Sequence, residues 1–320
     1  MKLQLMYSFL RPDIEKIEKE LKQVITSEQP LLQEASAQLL QAGGKRIRPA
    51  FVLLAAKFGN YKLDAIKHVA TALELIHMAS LIHDDVIDAA PLRRGKPTIN
   101  AKWGDRVAMY TGDYLFAKSL ECITNIQSPE AHQALSKTMV ELCKGEIEQI
   151  RDKYDFNQNL RAYLRRIKRK TALLIAASCQ LGAIASGADR DTVNRLFWFG
   201  YFVGMSYQII DDILDFVSNE EALGKPAGGD LLQGNITLPV LYAMEQPELR
   251  ELIIQVHEGT NRTAMQAIIS RIKQSDAIEQ AFAFSERYLQ KALAAIEPLP
   301  RGQAKSSLQN IAKYIGKRKF

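Results

Sequence analysis

The sequence predicts an all-α protein, a single large bundle of about ten or more helices over residues 1–320. Three observations carry that reading. Apolar residues recur at helical spacing along nearly the whole chain, and the alternation expected of strands is almost absent. No low-complexity linker divides the chain, although 320 residues alone would suggest about two domains. Two acidic motifs, Asp84-Asp85-Val86-Ile87-Asp88 and Asp211-Asp212-Ile213-Leu214-Asp215, each follow an apolar run. Serving one cluster of metals would require them to converge, and a domain boundary between them would split that site.

Along the chain, Asp13 to Ile25 reads as an amphipathic helix with Ile14, Ile17, Leu21, Val24 and Ile25 on one side. Pro30 opens a second helix through Leu40, which Gly43-Gly44 stops. Lys45-Arg46-Ile47-Arg48-Pro49 is a basic turn before the apolar run from Ala50 to Phe58. Asp64 to Asp88 is one long helix ending in the first acidic motif, and Pro91 to Pro97 is a cationic loop. Helices follow over Arg106 to Ile126, Pro129 to Tyr154, Leu160 to Ser186 and Asp191 to Val217, the last carrying the second acidic motif. A glycine-rich loop, Gly224 to Asp230, precedes shorter amphipathic helices that run to a basic end, Lys317-Arg318-Lys319.

Composition narrows the classes. The net charge of +6 and pI of about 9.0 suit anionic ligands or an anionic membrane surface. Zinc-finger spacing, an RNP-like aromatic pattern and a basic arm are all missing, so no nucleic-acid partner is expected. The three cysteines, Cys122, Cys143 and Cys179, form no CxxC pair and are expected to be buried free thiols of a reducing compartment. The first ten residues are too short and interrupted for a signal peptide. Thr171 to Ala188 carries no charge, but its Ser, Gln, Gly and Thr residues suit a helix buried all round better than a membrane span.

The acidic motifs place carboxylates four residues apart, so Asp84 and Asp88 share a helical face, as do Asp211 and Asp215. Like charges stacked beside apolar sequence are unfavourable, and a bound cation reverses that sign. Hard oxygen ligands on rigid helices suit Mg²⁺, which binds through few carboxylates, waters and phosphate oxygens. There is no His/Cys cluster for zinc, no P-loop and no dinucleotide fingerprint. Lys45, Arg48, Arg93, Arg94, Lys170 and Lys225 lie in or beside turns, where they can bind phosphate directly. The other cations of Arg161 to Arg169 read as a solvated face. A histidine on an apolar helix is by default a core residue, but His77 lies nearly two turns before Asp84, on the same side.

The ordered set Gly43-Gly44-Lys45-Arg46-Ile47-Arg48-Pro49, His77, Asp84 to Asp88, Arg93-Arg94-Gly95, Lys170-Thr171, Gln208, Asp211 to Asp215, Gly224-Lys225 and Gly229-Asp230 resembles the trans-prenyltransferases, the all-trans polyprenyl diphosphate synthases. The resemblance covers most of the chain. It implies an isoprenoid-synthase bundle around a central cavity. It further implies Mg²⁺-dependent condensation of isopentenyl diphosphate onto an allylic diphosphate such as farnesyl diphosphate. Lys45, Arg48, His77 and Arg94 are then expected to hold isopentenyl diphosphate. Asp84, Asp88 and Asp211 would hold about three Mg²⁺ ions with the allylic diphosphate, assisted by Arg93, Lys170 and Lys225. Thr171 and Gln208 resemble oxygen-bearing residues placed near the allylic cation, and Asp85, Asp212 and Asp215 would support the metals or their waters. Asn235 stands where many relatives carry a second lysine.

Small residues, Ala79 and Ser80, occupy the positions that bulky aromatics block in short-chain relatives, and the motif lacks the two-residue insertion of many short-chain enzymes. Each added isoprene unit is roughly 5 Å, about one helical turn, and would next meet Ile76. Within the family the chain is most similar to the catalytic component of two-component hexaprenyl or heptaprenyl diphosphate synthases. That implies a heptaprenyl product for menaquinone side chains, with a geranylgeranyl, hexaprenyl or octaprenyl product as the alternative, and a small non-catalytic partner subunit, with a homodimer as the alternative. A cytoplasmic location is expected from the free cysteines, and a long apolar product makes peripheral membrane contact a further expectation. A terpene cyclase would carry a different second motif, a non-catalytic subunit would lack one acidic motif or the Lys45/Arg48 pair, and a scaffold protein would need neither.

Overall fold

A computed structural model describes residues 3–217 and 227–317. Gly224 and Lys225 of the expected phosphate loop, and residues 318–320 of the basic terminus, lie outside the described residues. The described chain is helical almost throughout and divides into two compact units.

Of the described residues, the first unit comprises 3–139, 177–197 and 299–310. It opens with a 3₁₀ segment, Leu3–Leu10, followed by α1 (Arg11–Val24), α2 (Pro30–Gln41), α3 (Ile47–Ala56) and α4 (Leu63–Ile87). Pro30 occupies the first turn of α2, where its missing N–H costs nothing. Pro49 to Ala56 of α3 are all buried, as expected of an apolar run without periodicity. A side chain on Gly182 would run into the Val52 carbonyl of α3, so this glycine permits direct backbone contact. The helix α4 is long and apolar enough to cross a membrane, yet 67% of its apolar window is buried in the fold. It packs on α1, α3 and α6 (Asp105–Thr124).

The cationic loop after α4 is more ordered than the sequence predicts. Leu92–Arg93 (β1) pairs antiparallel with Lys96–Pro97 (β2). Arg94 and Gly95 connect them with φ of 53° and 74°, the pattern of a type I′ turn. Thr98 ties this hairpin to the end of α4 by donating to the Ala90 carbonyl at 2.6 Å, and it caps α5 (Ile99–Trp103).

Of the described residues, the second unit comprises 140–176, 198–217, 227–298 and 311–317. It contains the C-terminal part of α7 (Pro129–Arg151), then α8 (Leu160–Ile167), capped by Asn159, and most of α10 (Arg190–Val217). Past Gly228 come α11 (Gly229–Leu232), α12 (Leu238–Ala243), α13 (Pro247–Ile253), α14 (Arg262–Gln274), α15 (Ala277–Ile296) and the last residues of α16 (Gln303–Gly316). Ile209, Ile210, Ile213 and Leu214 of α10 pack with Tyr163, Leu238 and Ala281 in one apolar cluster.

The single helix expected over Leu160 to Ser186 is interrupted. Lys168–Ala172 forms a π-turn between α8 and α9 (Leu173–Ala185). Such insertions widen the helix by one residue and are frequent at functional sites. Two glycines grip this turn within the second unit. A Cβ on Gly145 of α7 would stand 2.7 Å from the Arg169 Cβ, and one on Gly204 of α10 would stand 2.6 Å from the Ala172 Cα. Two further expectations are corrected. Arg166 and Arg169 are not on a solvated face: Arg166 is buried, donating to Gln158 at 2.7 Å and to the Ile236 carbonyl, while Arg169 pairs with Glu141 at 2.8 Å and with Glu148. Cys122 and Cys179 are buried as expected, but Cys143 is exposed.

Gly204→Ala tests the grip on the π-turn. The obstructing atom is backbone and cannot rotate away, so the substitution is expected to destabilise the protein by about 1–3 kcal/mol in a denaturant titration.

Candidate active site

In the first unit the basic turn and the end of α4 share one electrostatic environment. His77 is largely surrounded by protein. Burial, then the charges of Arg48, Arg94, Arg93 and Arg46, hold its imidazole neutral, well below the usual histidine range. Two of these guanidiniums are already paired with carboxylates, Arg46 with Glu74 and Glu18 and Arg93 with Asp85. Arg46 adopts a left-handed φ of 48°, and its buried guanidinium donates to Glu74 at 3.0 Å, Glu18 at 3.1 Å and the Leu40 carbonyl at 3.2 Å. A Cβ on Gly44 would lie 3.0 Å from Nη1 of Arg94, so the absent side chain lets the Arg94 guanidinium settle against the turn.

Asp84 and Asp88 lie on the last turn of α4, with Asp88 as its C-cap. Asp85 points differently. It is buried and grips Arg93, with Nε at 2.8 and 2.9 Å from the two carboxylate oxygens and Nη2 at 2.7 Å. Burial raises its pKa and the Arg93 hydrogen bond opposes that shift. Asp85 therefore orients Arg93 and the hairpin, a role the bare motif does not reveal.

In the second unit Lys170, Thr171, Gln208 and the second acidic motif come together. Lys170 donates to Glu146 of α7 at 3.0 Å. Thr171 Oγ1 donates to Gln208 Oε1 at 2.6 Å, and Gln208 Nε2 donates to Asp212 Oδ1 at 2.8 Å. The buried Tyr163 hydroxyl donates to Asp212 Oδ2 at 2.7 Å. Both oxygens of Asp212 thus accept, which is the pattern of an ionised carboxylate. Burial, then Asp230 and Asp211, push Asp212 up to about 8, so the protein alone resists that charge and a cation would relieve it. The loop beyond the undescribed residues closes on Asp215, whose side chain accepts from the Asp230 amide at 3.1 Å and whose carbonyl accepts from Gly228 at 2.8 Å. Asp211 is exposed.

Among the described residues no three His, Cys, Asp or Glu side chains form a closed metal cluster. Glu146, Tyr163, Glu74 and Glu18 are partners that motif reading missed. Only Glu141, Glu146 and Glu148, an acidic row on α7 opposite the basic run of residues 161–170, left a signal in the sequence.

The neutral His77 makes a signed prediction. An unfolded histidine takes up its proton near pH 6.5 and the native His77 only well below that. Stability from this group is complete above about pH 6.5 and is lost as pH falls towards the native pKa. The drop in melting temperature between about pH 7 and about pH 5 is therefore expected to shrink in His77→Gln.

Comparison with known proteins adds independent findings. A family model described as polyprenyl synthetase matches residues 29–274. The chain is 65% identical over 320 residues to heptaprenyl diphosphate synthase component 2 of Bacillus subtilis (strain 168), covering all of this chain and 92% of the relative. It is 62% identical to the protein of the same name from Geobacillus stearothermophilus, with both covered in full. Among solved structures, heptaprenyl diphosphate synthase from Staphylococcus aureus superposes with a TM-score of 0.93 at 46% identity, covering 97% of this chain and 98% of that one. A polyprenyl synthase from Caulobacter crescentus CB15, complexed with calcium and isoprenyl diphosphate, gives a TM-score of 0.94 at 29% identity, covering 99% of this chain and 98% of that one.

Proposed function

The chain belongs to the polyprenyl synthetase family, a family of prenyltransferases, and from that membership we propose that it is the catalytic component of a heptaprenyl diphosphate synthase. The observation that carries the product assignment is full-length identity of 62–65% to two proteins named as component 2 of that enzyme. The diphosphate of isopentenyl diphosphate is assigned to Lys45, Arg48, His77 and Arg94. The allylic diphosphate is assigned to Asp84, Asp88 and Asp211, with Arg93, Lys170 and Lys225. Those aspartates would hold Mg²⁺, which when bound would offset the charge that gathers on the departing diphosphate.

The chain's own groups account for the remaining steps. Arg93, fixed by Asp85, presents its charge without an entropic cost at the moment of reaction. The allylic C–O bond breaks, and the electron pair leaves with the diphosphate. The double bond of isopentenyl diphosphate then attacks the allylic cation, and a proton is lost to the released diphosphate. Thr171 and Gln208 oxygens, held in register by their mutual hydrogen bond, supply lone pairs towards that cation. Water must be kept out, since it would capture the cation.

Product length is assigned to the apolar face of α4. Ile76 and Ala79 are fully buried there, and Ser80 turns its hydroxyl back to the His77 carbonyl at 2.9 Å. The partner is assigned to α7. Its exposed residues Val140, Cys143, Ile147 and Ile150 recur at alternating spacings of three and four, an apolar seam of the kind that pairs helices.

Radiolabelled isopentenyl diphosphate, farnesyl diphosphate and Mg²⁺ test the function directly. The chain with its companion component is expected to yield heptaprenyl diphosphate, and alone to give little; a homodimer with full activity would refute the two-component reading. Ala79→Phe is expected to shorten the product while the thermal melt shows the fold retained; unchanged length would remove α4 from length control. Ile147→Lys is expected to weaken association with the companion at least about tenfold by sedimentation, since a charge would be buried in the seam.

A further inference from the structure

The segment Leu3–Leu10 carries none of the residues assigned above, yet one face of it is buried in its unit. Leu3, Tyr7 and Leu10 are buried, Tyr7 with 3% of its surface exposed. Helical geometry breaks at Tyr7, with φ −132° and ψ 29°. Two hydrogen bonds tie this break to remote parts of the first unit. Ser307 Oγ, in α16, donates to the Met6 carbonyl at 2.7 Å. The Tyr7 hydroxyl donates to the Lys45 carbonyl at 2.7 Å.

Tyr7 is suited to act as a fixed donor. Burial, and then the Glu74 carboxylate, raise its pKa to about 12, so the phenol keeps its proton across the physiological range. Glu74 is also the buried partner of Arg46. Two adjacent residues of one turn are therefore held from two directions: the Lys45 carbonyl by a phenol, and the Arg46 side chain by Glu74, Glu18 and the Leu40 carbonyl. Arg46 sits in the left-handed region, which a non-glycine residue keeps only where its surroundings over-determine it. Lys45 and Arg48 flank that residue, so the direction in which they leave the backbone depends on the turn keeping this shape.

We propose that Tyr7 is a positioning residue for substrate binding: its hydroxyl, bonded to the Lys45 carbonyl, holds the backbone from which Lys45 and Arg48 reach the diphosphate of isopentenyl diphosphate. The proposal rests on the assignment of that diphosphate to this turn. Tyr7 does not touch the substrate; it acts by keeping the turn pre-organised, so that binding does not have to order it.

Tyr7→Phe removes one oxygen and leaves the buried ring in place. Isopentenyl diphosphate is titrated calorimetrically, with EDTA present, into the full-length wild type, Tyr7→Phe and Lys45→Ala, and amide exchange is followed over residues 43–48. Tyr7→Phe is expected to bind roughly fivefold more weakly, the loss of one hydrogen bond, with faster exchange in the turn. Lys45→Ala is expected to weaken binding without that change in exchange. A lowered melting temperature with unchanged affinity in Tyr7→Phe would make its role structural and overturn the proposal. Weaker binding with unaltered exchange at 43–48 would overturn the positioning mechanism. If Lys45→Ala binds as well as wild type, or the wild type does not bind, the assignment of the turn falls and the proposal with it.

Discussion

Carboxylates at the ends of buried apolar helices impose the constraint on which the site depends. An ionised carboxylate loses several kcal/mol of hydration when it is buried, unless donors or cations replace the water. The protein meets this requirement residue by residue. Asp85 takes the Arg93 guanidinium, Asp212 takes Tyr163 and Gln208, and Asp215 takes the Asp230 amide. Each solution also places something useful: an arginine on a hairpin, an amide beside Thr171, a loop against the second motif. Asp84 and Asp88, which are half-buried, and Asp211, which is exposed, belong to the same motifs and are the carboxylates assigned to Mg²⁺.

The π-turn shows how close packing turns a linear motif into a shaped one. A continuous α-helix over residues 160–186 would carry Lys170 and Thr171 in regular register with their neighbours. The inserted residue changes that register, and Lys170 meets Glu146 while Thr171 meets Gln208. Gly145 and Gly204 leave room for the widened turn between α7 and α10. The adjacent Arg166 and Arg169 are spent on holding it, through Gln158, the Ile236 carbonyl, Glu141 and Glu148. Charge that looks like a solvated face in the sequence is thus structural.

Much of the fold was legible because helical periodicity, prolines and glycines act locally. Pro30 starts α2, Gly43 at φ 80° follows its C-cap, and the apolar spacing of α1 reports its buried face. The candidate residues were legible too, since acidic pairs four apart and cations in turns are chemically unusual on apolar helices. Their partners were not. Glu74 lies 28 residues from Arg46, Tyr163 lies 49 from Asp212, and Tyr7 lies 38 from Lys45, separations over which no local rule operates.

By itself the sequence determined the all-α class, the order of most helices, the two acidic motifs and the prenyltransferase family, because each is written in short-range pattern or in the order of motifs. Tertiary structure alone decided which carboxylates are committed to internal partners, that Arg46, Arg166 and Arg169 are architectural, that the helix after residue 160 contains a π-turn, and that Cys143 and its neighbours on α7 are exposed. The physical reason is that hydrogen bonding and burial are properties of neighbours in space. A charge declares its type in the sequence, but whether it is solvated, paired or poised is settled only when distant helices close around it.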